Sequence, residues 1–277
     1  MLVMKSREDA SVNFIHEIDG GILESRFVWR PGEDYFICYL STQFGCKQAC
    51  RFCHLTATGQ TNDRVATAEE IEMQANAVLR YARDLPDAPR NVSFSFMARG
   101  EPLCLGSPLY DDEVFILLRL LSFYYDFTPK FKISTIMPAE MKYVPPLDSE
   151  AIIYYSLYSM NTDFRKHWIP KALPVHTALT KLSAWQQWCG QEIVIHFPFI
   201  EGANDDIEDN LHVIETVREY LPNTRFNCIR YNSPDLSKSK ESTRTDELFT
   251  IWLKEFPRST MVPRVGYDVN ASCGMFV

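Results

Sequence analysis

The sequence has no apolar run of the roughly 18 residues that would mark a membrane-spanning helix. Its first residues, Met-Leu-Val-Met-Lys-Ser-Arg-Glu-Asp, lack the apolar region of a secretory leader. Positive charge is also short. Twenty-eight Lys and Arg stand against 36 Asp and Glu, for a net charge of −8. That balance argues against the broad basic face of a nucleic-acid binder, although a local basic rim is compatible with it. Arg225 with Arg230, Lys238 to Lys240 with Arg244, and Arg258 with Arg264 are candidates for such a rim; ordinary solvated charge is the competing reading. There is no internal repeat and no low-complexity segment. The eight cysteines are dispersed except at one place, unlike a disulfide framework, and a reducing, cytoplasmic setting is expected. With 46% hydrophobic residues, the length suffices for one large domain with a core.

The exception is the run Cys46-Lys-Gln-Ala-Cys50-Arg-Phe-Cys53, a C-x3-C-x2-C spacing with Phe52 before the third cysteine. Three thiolates in one short loop can hold three corners of a cubane 4Fe–4S cluster and leave the fourth iron open to a ligand. An open iron does chemistry, and this spacing is the signature of radical S-adenosylmethionine (SAM) enzymes. Zinc is the alternative. It needs four ligands, with His54 or a distant cysteine as the fourth, and typically uses paired C-x2-C knuckles. The sequence contains no second pair.

Strand-like and helix-like runs alternate along the chain, which predicts βα units on a parallel sheet. Strands are expected at Tyr35–Thr42, Val92–Met97, Lys132–Ile136, Ile152–Leu157, Glu192–Phe197 and Arg225–Tyr231, with a short closing strand near Met261–Val265. Helices are expected from the capping box Thr67-Ala-Glu-Glu70 through Arg83, and over Asp111–Tyr125, His176–Trp188, Asp205–Tyr220 and Asp246–Phe256. The stripe Ile207, Leu211, Ile214 and Val217 marks the buried face of the fourth of these helices. Six βα units make an open, partial (β/α)6 barrel, whose functional groups collect at the C-terminal ends of the strands. Residues 1–34, with a strand-like run at Ile22–Trp29, read as a β-extension; residues 35–277 read as the barrel and its tail.

Further motifs carry a family resemblance. Met97-Ala-Arg-Gly-Glu-Pro-Leu103 resembles the glycine–glutamate motif that binds the SAM amino group, where a carboxylate must face an ammonium. With Cys-Arg-Phe-Cys-His54, Lys132-Ile-Ser-Thr135, Tyr155-Ser-Leu-Tyr-Ser159, Gly202-Ala-Asn-Asp205, Asn227-Cys-Ile-Arg-Tyr-Asn232 and the final Ser272-Cys-Gly274, the chain resembles radical SAM RNA methyltransferases of the RlmN/Cfr type, from about residue 14 onward. The resemblance implies that Gly100, Glu101, Ser134, Ser156, Leu157, Tyr158 and Asn232 contact SAM and that Phe52 lies against its adenine. Cluster iron would chelate the methionine end, and one electron from a flavodoxin-like donor would release a 5′-deoxyadenosyl radical.

The same resemblance gives Cys273 the central role. The tail cysteine is methylated by one SAM, a radical from a second SAM removes hydrogen from that methyl, and the methylene radical adds to an adenine carbon. That carbon is electrophilic, so a radical route avoids asking it to act as a nucleophile, and the cofactor carries the difficulty. Glu24 matches a glutamate proposed to remove the adenine proton. The pattern departs at the resolving cysteine, expected seven positions before Cys46, where Tyr39 stands. Cys38 is one residue earlier, and one residue along a strand turns a side chain to the opposite face. Either a bulge re-aims Cys38, or the intermediate is resolved differently, or not at all; Cys104 is a less favoured substitute. Tyr158 stands where the family has histidine, and Arg99 where it has a small or apolar residue. The family's N-terminal accessory domain, which helps grip structured RNA, is expected to be missing.

The expectation is a monomeric radical SAM enzyme, with 4Fe–4S and SAM as cofactors, that methylates C2 or C8 of an adenine in rRNA or tRNA. Lys238, Lys240 and Arg264 are candidate phosphate contacts for that RNA. The target base must be unstacked, at roughly a few kcal/mol. Two alternatives stay open: a radical SAM enzyme with another adenine-containing substrate or another product, and a non-catalytic module stapled by zinc.

Overall fold

In the computed structural model, which describes residues 1–30, 32–141, 143–144 and 148–277, ten strands form one sheet whose spatial order follows their order in sequence. Strands β1 (Leu2–Lys5), β2 (Val12–Ile18), β3 (Gly21–Val28) and β4 (Tyr35–Tyr39) pair antiparallel. From β4 onward every pairing is parallel, through β5 (Asn91–Phe96), β6 (Thr128–Thr135), β7 (Ile152–Tyr155), β8 (Ile193–Phe197), β9 (Thr224–Ile229) and β10 (Thr260–Val262). The α/β class with a parallel partial barrel is therefore as expected, and the β-extension continues the same sheet through the β3–β4 pair.

Seven α-helices join the strands: α1 (His54–Ala57), α2 (Ala68–Arg83), α3 (Glu113–Tyr124), α4 (Thr162–Trp168), α5 (Val175–Cys189), α6 (Ile207–Tyr220) and α7 (Thr245–Glu255), counted among the described residues. The box at the start of α2 forms as read. Glu70 donates its N–H to Thr67 Oγ1 at 3.2 Å, and Thr67 donates its own to Glu70 Oε2 at 2.9 Å. Ile71, Ala75, Val78, Leu79 and Ala82 are all fully buried.

The reading of α6 needs correction. Ile214 and Val217 are buried, but Leu211 is 37% exposed. The inward face carries Asn210 and Val213 instead. Asn210 donates to the carbonyls of Asn204 and Asp206 and so rotates the helix start toward the core. Strands β1 and β2 and helix α4 were not expected. α4 is only two turns long, started by Asn161, whose side-chain oxygen accepts from the N–H groups of Asp163 and Phe164.

Strand alternation sorts the side chains into two populations. Phe36 and Cys38 on β4, Phe131 and Ile133 on β6, and Phe226 and Cys228 on β9 enter the helix-covered hydrophobic core. Tyr35, Ile37 and Tyr39, Lys132 and Ser134, and Arg225, Asn227 and Ile229 line the opposite, concave face. They bound a lumen of about 540 Å³.

Replacing Thr67 with Ala removes one half of the capping box. It should lower unfolding stability by about 1 kcal/mol, read as a lower urea midpoint at unchanged m-value.

Candidate active site

The loop after β4 carries the three clustered cysteines and is held by backbone bonds. Cys46 donates its N–H to Gln60 O at 3.0 Å, Cys53 to Cys50 O at 3.1 Å, and Arg51 to Trp168 O at 2.9 Å. Gly45 is required by space. A Cβ there would meet Gln60 O at 2.5 Å and Asn62 N at 2.8 Å. Cys46, Cys50 and Cys53 open onto one cavity of about 120 Å³. Burial pushes the Cys46 thiol up to about 12 and moves Cys50 and Cys53 in the same direction. Burial thus favours neutral thiols, and a cationic iron core would reverse that by replacing the lost solvation. Among the described residues no three His, Cys, Asp or Glu groups converge closely enough for a single metal ion. Three sulfur donors around one shared cavity are a donor set that fits three corners of an open-cornered cluster.

The cavity's other wall comes from β5, β6 and β7. Gly100, Glu101, Ser134 and Ser156 line it, with Phe52 from the loop. Gly100 has φ +104°, and a Cβ would sit 2.8–2.9 Å from Gln43 atoms, so this close approach needs glycine. Gln43 Oε1 accepts the Glu101 N–H at 2.8 Å. The Glu101 carboxylate in turn accepts from Leu103 N at 3.0 Å and Ile136 N at 3.1 Å. Burial pushes Glu101 up to about 7 despite these bonds. A buried carboxylate of this kind is prepared for an ammonium partner.

Residues 270–277 fold across the same region. Asn232 donates to Cys273 O at 2.9 Å and Ser272 Oγ at 3.2 Å. His54 donates its N–H to Gly274 O at 3.2 Å. Arg26 reaches Ser272 O at 3.3 Å and Met275 O at 2.6 Å, and Phe276 projects into the thiol cavity. Beneath this tail lies Glu24, fully buried between Arg26 (3.1 Å) and Arg99 (2.7 Å). Its Oε1 also accepts from Val277 N at 3.1 Å, and its Oε2 from Asn13 Nδ2 at 3.1 Å. Arg99 further donates to Phe44 O, Val277 O and Gln60 Oε1. Cys273 is exposed and lines the lumen; desolvation pushes its thiol up to about 11, and nearby Arg26 opposes that rise.

No family model matches the chain. Curated relatives do. One from Chlorobium phaeobacteroides is 27% identical over 252 residues, covering 88% of this chain and 67% of the relative. Another from Clostridium novyi is 28% identical over 283 residues, covering 97% of this chain and 76% of the relative. Both are named as RlmN dual-specificity RNA methyltransferases. A radical SAM methyltransferase structure from Sphaerobacter thermophilus has the same fold, with a TM-score of 0.79 at 20% identity over 99% of this chain and 80% of that one. The chain resembles RlmN-type radical SAM RNA methyltransferases.

Of the residues the resemblance singled out, Cys46, Cys50, Cys53, Phe52, Gly100, Glu101, Ser134 and Ser156 share the thiol cavity. Three do not. Leu157 is fully buried in the core. Tyr158 stacks on Phe52 from behind, at 4.4 Å between ring centroids. Asn232 clamps the tail. Glu24 lines neither cavity, because both its oxygens are taken up by the tail and the arginines.

Of the alternatives for Cys38, the re-aiming bulge is absent. The Cys38 ladder is regular, opposite Phe27 and Phe94. It is fully buried in the helix-side core, while Tyr39 shares the lumen with Cys273. Cys104 is buried and lines neither cavity. The candidate phosphate contacts are already paired: Lys238 with Asp235, Lys240 with Glu201, and Arg264 with Glu241. Gln43, Asn13 and Arg26 were missed. Of these only Arg26 had a signal, its Glu-x-Arg spacing from Glu24, a same-face neighbour on a strand.

Two outcomes follow. Glu24→Gln leaves two buried guanidinium groups short of a counter-charge and should cost about 3–5 kcal/mol in urea unfolding. Glu101, raised from 4.5 to about 7, keeps a proton in the folded state that the unfolded chain releases. Its contribution is complete below about pH 4.5 and lost as pH rises through about 7. Urea midpoints at pH 5 and 7.5 should therefore diverge less in Glu101→Gln than in the native protein.

Proposed function

We propose that this chain is a radical SAM methyltransferase that sets a methyl group on carbon 2 or carbon 8 of an adenine in RNA and carries that carbon first on Cys273. One observation supports the reading above the others. Met97 and Ser134 line both the thiol cavity and the lumen that Cys273 faces, so a single wall of side chains separates the two. A 4Fe–4S cluster on Cys46, Cys50 and Cys53 would supply an open iron for binding and reductive cleavage of SAM. Glu101 would receive the methionine ammonium, and Gly100 would let the backbone approach it. Phe52, Ser134 and Ser156 would flank the nucleoside, with Tyr158 backing Phe52. Leu157 would act through packing, and Asn232 through its hold on the tail. Glu24 becomes a base for the adenine proton only when Val277 lifts from it. A flavodoxin-like protein is the proposed electron donor.

The test is peptide mapping of protein reconstituted anaerobically with iron and sulfide and then given methyl-labelled SAM. A labelled methyl on Cys273 is expected, with none in Cys273→Ala. Loss of bound iron is expected in each of Cys46→Ala, Cys50→Ala and Cys53→Ala. An unlabelled Cys273 in iron-loaded protein would sink the relay.

A second reading keeps the enzyme and changes the last step. Among the described residues Cys273 is the one cysteine lining the lumen, and Cys38 faces away from it, so among them no second thiol stands ready to close a disulfide. Under this reading Cys38→Ala turns over like the native enzyme. Loss of product release in that variant, with iron content intact, would restore Cys38 as the resolver.

A further inference from the structure

Barrel interiors are ordinarily filled by layers of bulky apolar side chains. This one is furnished with charge. The lumen reaches from Cys273 and Ile229, at the C-terminal ends of the strands, to Tyr35, Arg225 and Thr260 near their N-terminal ends. Around that far end stand Arg30, Lys132, Arg225 and Arg258, set against Glu33 and Glu192.

We propose that the lumen binds a phosphomonoester of mononucleotide size, its phosphate among Lys132, Arg225 and Arg30 and its base toward Cys273. Treating that ligand as the methyl acceptor rests on the relay through Cys273; the phosphate site itself does not.

The first support is charge. Arg30 pairs with Glu33 at 3.0 Å, Arg225 with Glu192 at 2.8 Å, and Arg258 with Glu192 at 2.9 Å. Lys132 has no hydrogen-bonding or ion-pairing partner among the described residues, only the Tyr35 ring 4.6 Å from its ammonium. Four cations against two carboxylates leave a surplus of two, close to the charge of a phosphomonoester near neutral pH. Desolvation lowers Lys132 to about 8, with repulsion from Arg225 and Arg30 adding to it, as a site short of an anion would.

The second support is unused hydrogen-bonding capacity. Arg30 Nε is a buried, unpartnered donor for the phosphate; Glu33 Oε2, also buried and unpartnered, only accepts and would face a ligand hydroxyl instead. His196 lies in the same lumen, its pKa lowered to about 4 by burial, so its ring is neutral. Asn227 Nδ2 donates to its Nδ1 at 3.0 Å, while Asn227 Oδ1 accepts from Thr260 at 2.8 Å. That chain leaves the proton on Nε2, a donor toward the ligand.

The third support is size. About 540 Å³ lies within the range of small-molecule sites.

The test is calorimetric titration of the iron-loaded protein with AMP, adenosine, and a short adenine-ended RNA with and without a 5′-phosphate. AMP should bind ten- to a hundredfold more tightly than adenosine, the value of about one charge-assisted contact. Lys132→Met should remove most of that difference and Lys132→Arg should restore it; Arg225→Gln serves if the first variant fails to fold. Tight binding of AMP alone identifies a free nucleotide. Equal binding of the phosphorylated RNA identifies a strand end; both outcomes support the site. Equal affinity for AMP and adenosine, or no effect of Lys132→Met in folded protein, would overturn it. Mapping the methyl on native Cys273 separately reports on the relay, so the two ideas can fail independently.

Discussion

A single buried carboxylate, Glu24, joins three parts of this protein that are far apart in sequence. Arg26 beside it on β3, Arg99 before Gly100, and the Val277 amide all converge on its two oxygens. Burying a charge this deeply costs several kcal/mol unless every lone pair is met, and here four donors meet them. Arg99 then passes the constraint on to the carbonyl of Phe44 in the cysteine loop and to the tail. The cysteine loop, the Gly-Glu turn and the tail cysteine therefore share one electrostatic anchor. Arg99, one of the residues that depart from the family pattern, is at the centre of it.

Around that anchor, strand alternation divides the work. Outward side chains of the parallel strands make an apolar core beneath the helices, and inward ones make a polar lumen. A two-residue period leaves no intermediate choice, which is why Cys38 and Tyr39 have opposite environments despite being neighbours. The same rule that buries Phe131 and Ile133 turns Lys132 inward, where burial strips it of water. Polar residues inside a barrel cost stability, so their concentration at one end of this lumen is most simply explained by a ligand that repays them.

Much was legible in the sequence. The cysteine spacing, the capping box of α2 and the βα rhythm are local signals, set by chain geometry over a few residues, and the structure carries each of them. Leu211 was misjudged because a helical stripe fits more than one face, and an asparagine bonded across the N-cap chose between them. β1 and β2 went unnoticed, as did the role of Asn13, because their partners lie at the other end of the chain or on a neighbouring strand.

By itself, the sequence determined the clustered-cysteine loop and the class of sheet, because spacing and periodicity are properties of contiguous residues. Tertiary structure alone decided which thiol faces which cavity, that Asn232 holds the tail, that Glu24 is an anchor, and that the lumen is cationic. Those outcomes depend on which strands become neighbours and on the water they exclude, and no short stretch of sequence encodes either.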